Sequence, residues 1–123
     1  MKSYLSVFLI FGVFFGAATV GFAQPKTGGY KKIAVTDAGV VAAVDFAAQT
    51  QSEQDNAEIN LQSIEKAETQ TVAGTNYKLC IEVFRIEAGD DVEVRQFVQT
   101  LVFRSLKKEF TLKSWEEAES CGE

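Results

Sequence analysis

One segment, AGVVAAVDFAAQTQS from Ala38 to Ser52, carries a helical period and is too apolar to stand alone. Asp45, Gln49 and Ser52 fall at i, i+4 and i+7 and form a single polar stripe. Val40, Val41, Val44, Phe46, Ala47 and Ala48 take up most of the remaining circumference. A helix with so wide an apolar surface is largely wrapped by other elements. No second helical segment is at hand to wrap it, so the cover must be a sheet. Thr36 or Asp37 is suited to cap its N-terminus, and the alternation of Ile33 and Val35 before them predicts a short strand. Residues 53–58 are polar and read as a connection. From Ile59 the period changes. Ile59, Leu61, Ile64 and Ala67 are irregularly spaced, which fits either a helix or a strand with a bulge. Tyr77, Leu79, Ile81 and Val83 alternate with Lys78, Cys80 and Glu82, a half-buried strand with Cys80 on the face away from the apolar row. The sequence EAGDD, Glu87–Asp91, is a turn, and Val94–Arg104 is a long strand apolar on both faces. Ser105–Glu109 is a further connection, Phe110–Trp115 a last strand, and the tail EEAESCGE is acidic. The predicted order is short strand, helix, then four strands in tight succession. That is an α+β plan, with antiparallel strands meandering against one helix.

The first 23 residues stand apart from this plan. Met1-Lys2 is a short positive start, no further charge appears until Lys26, and the apolar run between them ends in Gly21-Phe22-Ala23. Small residues at the first and third of these positions resemble a signal-peptidase site. The run is almost long enough for an uncleaved anchor, but its glycines and small-x-small ending favour removal. The expected division is a signal peptide over 1–23 and one domain over 24–123, with a secreted product that has no membrane attachment. Losing Lys2 takes the net charge from −5 to −6. With 17 Asp+Glu against 12 Lys+Arg and no evident basic face, nucleic acid is not an expected partner. The only cysteines are Cys80 and Cys121. In an exported chain a pair is most simply one disulfide, the alternatives being two free thiols or a dimer linked through Cys121. Two cysteines without any histidine cannot close a zinc site or supply a Ser-His-Asp or Cys-His nucleophile. No phosphate-binding or dinucleotide glycine loop is present, so no cofactor and no metal are expected. Glu53, Asp55, Glu58, Glu65 and Glu68 lie among polar residues and read as a solvated face rather than an acid–base pair.

The stretch QTVAGTNY, Gln70–Tyr77, has the makings of a hairpin tip. Val72 and Ala73 would place apolar groups at that tip, and exposed apolar patches tend to be contact sites. The pentapeptide Gln70-Thr71-Val72-Ala73-Gly74 resembles the Gln-x-Val-x-Gly signature of the cystatins, inhibitors of papain-like cysteine proteases, and the following Thr-Asn-Tyr resembles the stefin branch. Gly28-Gly29 ahead of the helix, FAAQ from Phe46 and LVFRSLKKEFTLKSW from Leu101 are similar to further landmarks of that family, in the same order. The resemblance spans residues 28–115. It implies one helix packed on a five-stranded antiparallel sheet and a protein that is not an enzyme. It also implies reversible, tight-binding blockade of a cathepsin-type protease cleft by three segments. These are Gly28-Gly29, the hairpin Gln70, Thr71, Val72, Ala73 and Gly74, and the hairpin Leu106, Lys107 and Lys108. A monomer is expected, with a domain-swapped dimer as the other assembly.

Two departures from the family stand out. The second hairpin carries Leu106-Lys107-Lys108 where many members have Pro-Trp and stefins Leu-Pro, so its apolar contact shrinks to one leucine. Stefins usually have neither a signal peptide nor disulfides, and secreted cystatins usually have two disulfides placed elsewhere. The competing reading is a non-inhibitory binding module of the same fold, with the Lys107-Lys108 hairpin serving another acidic partner. A hydrolase working with carboxylates is remote. A legumain-type site is not expected either, because SEQDNAE at 52–58 does not match the Ser-Asn-Asp sequence that carries it in some cystatins.

Overall fold

The computed structural model describes residues 29–122, so the expected leader, Gly28 and Glu123 lie outside it. In chain order the elements are β1 (Lys31–Lys32), α1 (Ala38–Asp55), β2 (Ala57–Val72), β3 (Gly74–Glu87), β4 (Val94–Arg104) and β5 (Phe110–Ala118). The strands form one sheet in the order β1-β2-β3-β4-β5, with every neighbouring pair antiparallel. The α+β architecture is the expected one, a single helix on a five-stranded antiparallel sheet.

Helix α1 begins at Asp37, whose Oδ1 accepts from the backbone N–H groups of Gly39 at 2.9 Å and Val40 at 3.2 Å. These bonds satisfy two of the donors that a helix start leaves unpaired. It ends at Asn56, which adopts the left-handed conformation at φ 51° and donates its N–H to the Ser52 carbonyl. Asn tolerates that conformation better than most residues. The polar connection expected over 53–58 therefore shrinks to one residue, and β2 starts at Ala57, whose carbonyl accepts from Ser52 Oγ.

Val40, Ala43, Val44, Ala47 and Ala48 are buried against the sheet. Val41 instead stays 38% exposed, and Phe46 is half-buried, stacked on Phe110 of β5 at 5.3 Å between ring centroids. The helix is thus covered along one face rather than wrapped, because a single sheet layer reaches only one side. Small residues on that face let the helix lie close to Tyr77, Leu79, Ile81 and Val83 of β3, which with Val98 and Val102 of β4 complete the core.

The ambiguous 59–70 segment is strand, with register shifts between Leu61 and Ser63 and between Ile64 and Lys66. An extra residue in one strand of a pair produces such a shift, and it bends the strand. Those shifts account for the step of three in its apolar residues. β1 covers Lys31–Lys32, with Ile33 adding a backbone bond to Ala67 at 3.1 Å, while Val35 is exposed in the following turn. β5 runs three residues past Trp115 to Ala118. Trp115 packs against the core, as expected. Beyond Ala118 the tail returns across β4 to β3, and Cys121 is bonded to Cys80 with their Cα atoms 5.6 Å apart.

Candidate functional site

The strand registers gather distant segments at one end of the sheet. β2 and β3 pair Gln70 with Asn76, Thr71 with Thr75 and Val72 with Gly74, leaving Ala73 alone at the tip. The Asn76 side-chain amide donates to Gln70 Oε1 at 3.0 Å and clamps the base of the hairpin. Thr71 and Ala73 are exposed, whereas Val72 is half-buried rather than standing free as the sequence suggested. Gly74 is buried, at φ 123°. A Cβ there would overlap the Arg104 carbonyl oxygen and lie 2.7 Å from the Phe103 ring. The glycine thus permits both a conformation that side chains avoid and a close approach to β4.

The second hairpin stands beside the first because β3 and β4 pair Thr75 with Arg104. The Ser105 N–H donates to the Glu109 carbonyl at 2.8 Å, and the Lys108 N–H donates to the Ser105 carbonyl at 2.9 Å. Ser105 Oγ also accepts from the Glu109 N–H at 3.1 Å. Lys108 takes φ 64°. A turn followed by one left-handed residue is a common short hairpin closure. Nothing in the sequence marks that position, since Gly or Asn is the usual occupant. Leu106 at the tip is 81% exposed, and Lys107 and Lys108 are exposed beside it.

The N-terminal segment reaches the same end. Lys31 pairs with Thr69, so the chain before it runs alongside Gln70 and Thr71. Gly29 is exposed with nothing within 4 Å of a Cβ built on it, and the Tyr30 ring lies under Lys78 Nζ at 5.5 Å. Of the residues singled out from the sequence, Gly29, Gln70–Gly74 and Leu106–Lys108 share this end, and Gly28 lies outside the described residues. Cys80 and Cys121 do not belong to it; their bond lies mid-sheet on the face away from α1. Tyr30 had no sequence signal of its own.

These three segments project and do not enclose. A cleft of about 520 Å³ lies elsewhere, beside the disulfide and lined by Lys32, Val35, Lys66 and Cys121 among others. No group of acidic, histidine or cysteine side chains among the described residues could hold a metal ion. The strongest charge cluster is at the far end of the sheet, where Arg85 bridges Asp55 at 2.8 Å and Glu87 at 2.5 Å. Hydrogen bonds from Gln51 and then from Arg85 hold the Asp55 carboxyl below its ordinary range.

A cystatin-domain family model matches residues 28–118. No curated protein matches the sequence significantly. Several solved structures share the fold. A salivary cystatin from the soft tick Ornithodoros moubata superposes with a TM-score of 0.62 at 21% identity, over 75% of this chain and 98% of that one. Dimeric human cystatin F gives 0.58 at 18% identity, over 77% and 90%. The structure of Al-CPI gives 0.58 at 22% identity, over 74% and 100%.

Proposed function

The chain belongs to the cystatin family, a family of protease inhibitors rather than enzymes, and from that we propose that it is a secreted, reversible, tight-binding inhibitor of papain-like cysteine proteases. The observation that carries this reading is the convergence of Gly29, the Ala73 tip and the Leu106 tip at one end of a rigid sheet. Three projecting segments held in fixed relation can fill a cleft with little loss of freedom on binding, which is how modest contact area yields high affinity. Gly28-Gly29 lies along one side of the cleft, Gln70–Gly74 enters its centre and Leu106–Lys108 covers the other side. No covalent step is involved: the tips offer shape and burial and leave the enzyme's thiolate unmodified. Removal of residues 1–23 and closure of the disulfide in an oxidising compartment complete the mature monomer.

Titration of papain and of a cathepsin-type protease with the disulfide-bonded protein tests the proposal. The expected result is stoichiometric loss of peptidase activity that returns on dilution, with the protein recovered uncleaved. Absence of inhibition at micromolar concentration would reject it in favour of a non-inhibitory module of the same fold.

A further inference from the structure

Charge separates along the long axis of the sheet. The two hairpin stretches 70–76 and 104–110 carry Arg104, Lys107 and Lys108 against one acid, Glu109. Lys31 and Lys32 of β1 and Lys113 of β5 stand in the same half, with Glu68 of β2 paired opposite Lys32 as a further acid there. Among the described residues, none of these cations takes part in an ion pair. The opposite end is acidic, with Glu87, Asp90, Asp91 and Glu93 around the β3–β4 connection and Asp55 and Glu58 at the junction of α1 and β2. Its arginines are already engaged, Arg85 with Asp55 and Glu87, and Arg95 with Glu82. Helix α1 is oriented the same way: its first turn sets Gly39 beside Tyr77 and its last residue, Asp55, is bonded to Arg85. The positive end of its dipole therefore faces the hairpin half, partly offset by the Asp37 cap. A chain of net charge −5 thus presents a positive end to whatever its hairpins meet. The cations come from separate segments of the chain, which is why the sequence showed no basic face.

We propose that this polarity selects cysteine proteases with an acidic cleft rim, and that Lys107 is the specificity-determining residue of the second hairpin. The inference rests on the reading that the hairpins enter a protease cleft. Leu106 is the sole apolar side chain at that tip, so apolar contact discriminates little there, and the exposed charge next to it decides which rims are tolerated. Like charges brought together at a rim are unfavourable, while opposite charges accelerate the encounter and orient it. Because the charge axis coincides with the axis of insertion, an acidic rim draws the hairpin end in first. Rim charges act mainly on association and are screened by salt, with a Debye length of about 10 Å at 0.1 M.

The test uses one papain-like protease in two engineered forms, differing only in acidic or basic substitutions on the cleft rim facing the second hairpin. Association rate constants are measured for the full disulfide-bonded protein at low and at high salt. At low salt the acidic-rim enzyme should associate at least about tenfold faster than the basic-rim form, and the difference should vanish at high salt. Lys107→Gln should diminish the preference and Lys107→Glu should diminish it further, both with an unchanged melting temperature because Lys107 is exposed at a loop tip. Equal rates for the two rims, or a preference untouched by Lys107→Glu, would overturn this inference while leaving inhibition itself in place. Failure to inhibit either form would overturn the cleft-insertion reading and this inference with it.

Discussion

Gly74→Ala separates two costs that a hairpin glycine can carry. The residue sits at φ 123°, outside the regions open to side-chain-bearing residues, and an added methyl would overlap the Arg104 carbonyl oxygen and crowd the Phe103 ring at 2.7 Å. The carbonyl belongs to backbone held on both sides, Arg104 being paired with Thr75 and with Phe110. No rotamer change can relieve the overlap, so the ends of β3 and β4 must part. Gly89 supplies the comparison: its φ is 84°, also positive, but nothing lies within 4 Å of a Cβ there. Gly89→Ala should therefore bear only the left-handed backbone cost, about 1–2 kcal/mol. Gly74→Ala adds strain in a less populated region, of order 1–3 kcal/mol, and overpacking of a similar size, for a total of roughly 2–6 kcal/mol. A domain holding ~5–15 kcal/mol remains folded. At about 4–8 °C per kcal/mol the melting temperature should fall by roughly 8–48 °C, against roughly 4–16 °C for Gly89→Ala. Thermal unfolding of the disulfide-bonded proteins by circular dichroism measures both. Papain inhibition should weaken only for Gly74→Ala, because parting β3 from β4 moves one hairpin relative to the other. Equal melting losses at the two glycines would refute the close approach. Unweakened inhibition by a destabilised Gly74→Ala would refute the dependence on hairpin spacing.

Leu106→Ala should leave the melting temperature unchanged within the error expected of an exposed side chain and weaken inhibition by roughly tenfold; a stability loss above ~1 kcal/mol would mean that the leucine packs on its own fold. Cys80→Ala/Cys121→Ala removes a link between residues 41 apart in sequence and should cost roughly 4 kcal/mol in the chain-entropy account, while inhibition persists at low temperature; loss of inhibition in a folded double variant would tie the tail to the hairpin end. The lowered carboxyl of Asp55 gives a sign for acid: its folded pKa lies below the ordinary 3.8, so its stabilisation is present above that value and is lost as pH falls through the folded one. Asp55→Asn should accordingly flatten the stability profile on the acid side, and an unchanged acid limb in denaturant melts at descending pH would contradict that linkage.

Much of the fold could be read from spacing because the central strands carry either a clean alternation or a continuous apolar run between turn signals. The Tyr77–Val83 row is the instance of alternation and Val94–Arg104, apolar on both faces, the instance of a run, and each lies in a strand paired on both sides. Legibility fails where backbone geometry replaces side-chain pattern. The bulges after Leu61 and Ile64 put β2 out of phase with a simple period, and the left-handed Asn56 closes a connection that polarity alone made look longer. β5 extends through Glu116 and Glu117, residues whose charge argued for a solvated tail. They are tolerated because β5 is an edge strand with exposed positions. At the candidate site the turn residues were legible as a motif, but their coming together was not. It depends on the registers that set Thr75 against Arg104 and Lys31 against Thr69, and on a lysine, Lys108, in a conformation that its identity does not announce.

The motif itself mixes residues of two kinds, and only one kind bears on function without also bearing on the fold. Gly74 is demanded by the sheet, since its φ and its contact with β4 require it whether or not any protease exists. Val72 is half-buried, and Gln70 is tied to Asn76, so both contribute to holding the hairpin in shape. Ala73 and Leu106 are different: they are exposed at the two tips, and the fold gains nothing from their being there. A leucine left 81% exposed at a loop tip costs solubility without returning core packing, and a tip of Lys107 and Lys108 alone would close the same turn. The weight of the functional reading therefore falls on the residues the structure does not need. Substituting those residues should change binding and leave folding alone, while substituting the motif's glycine changes both.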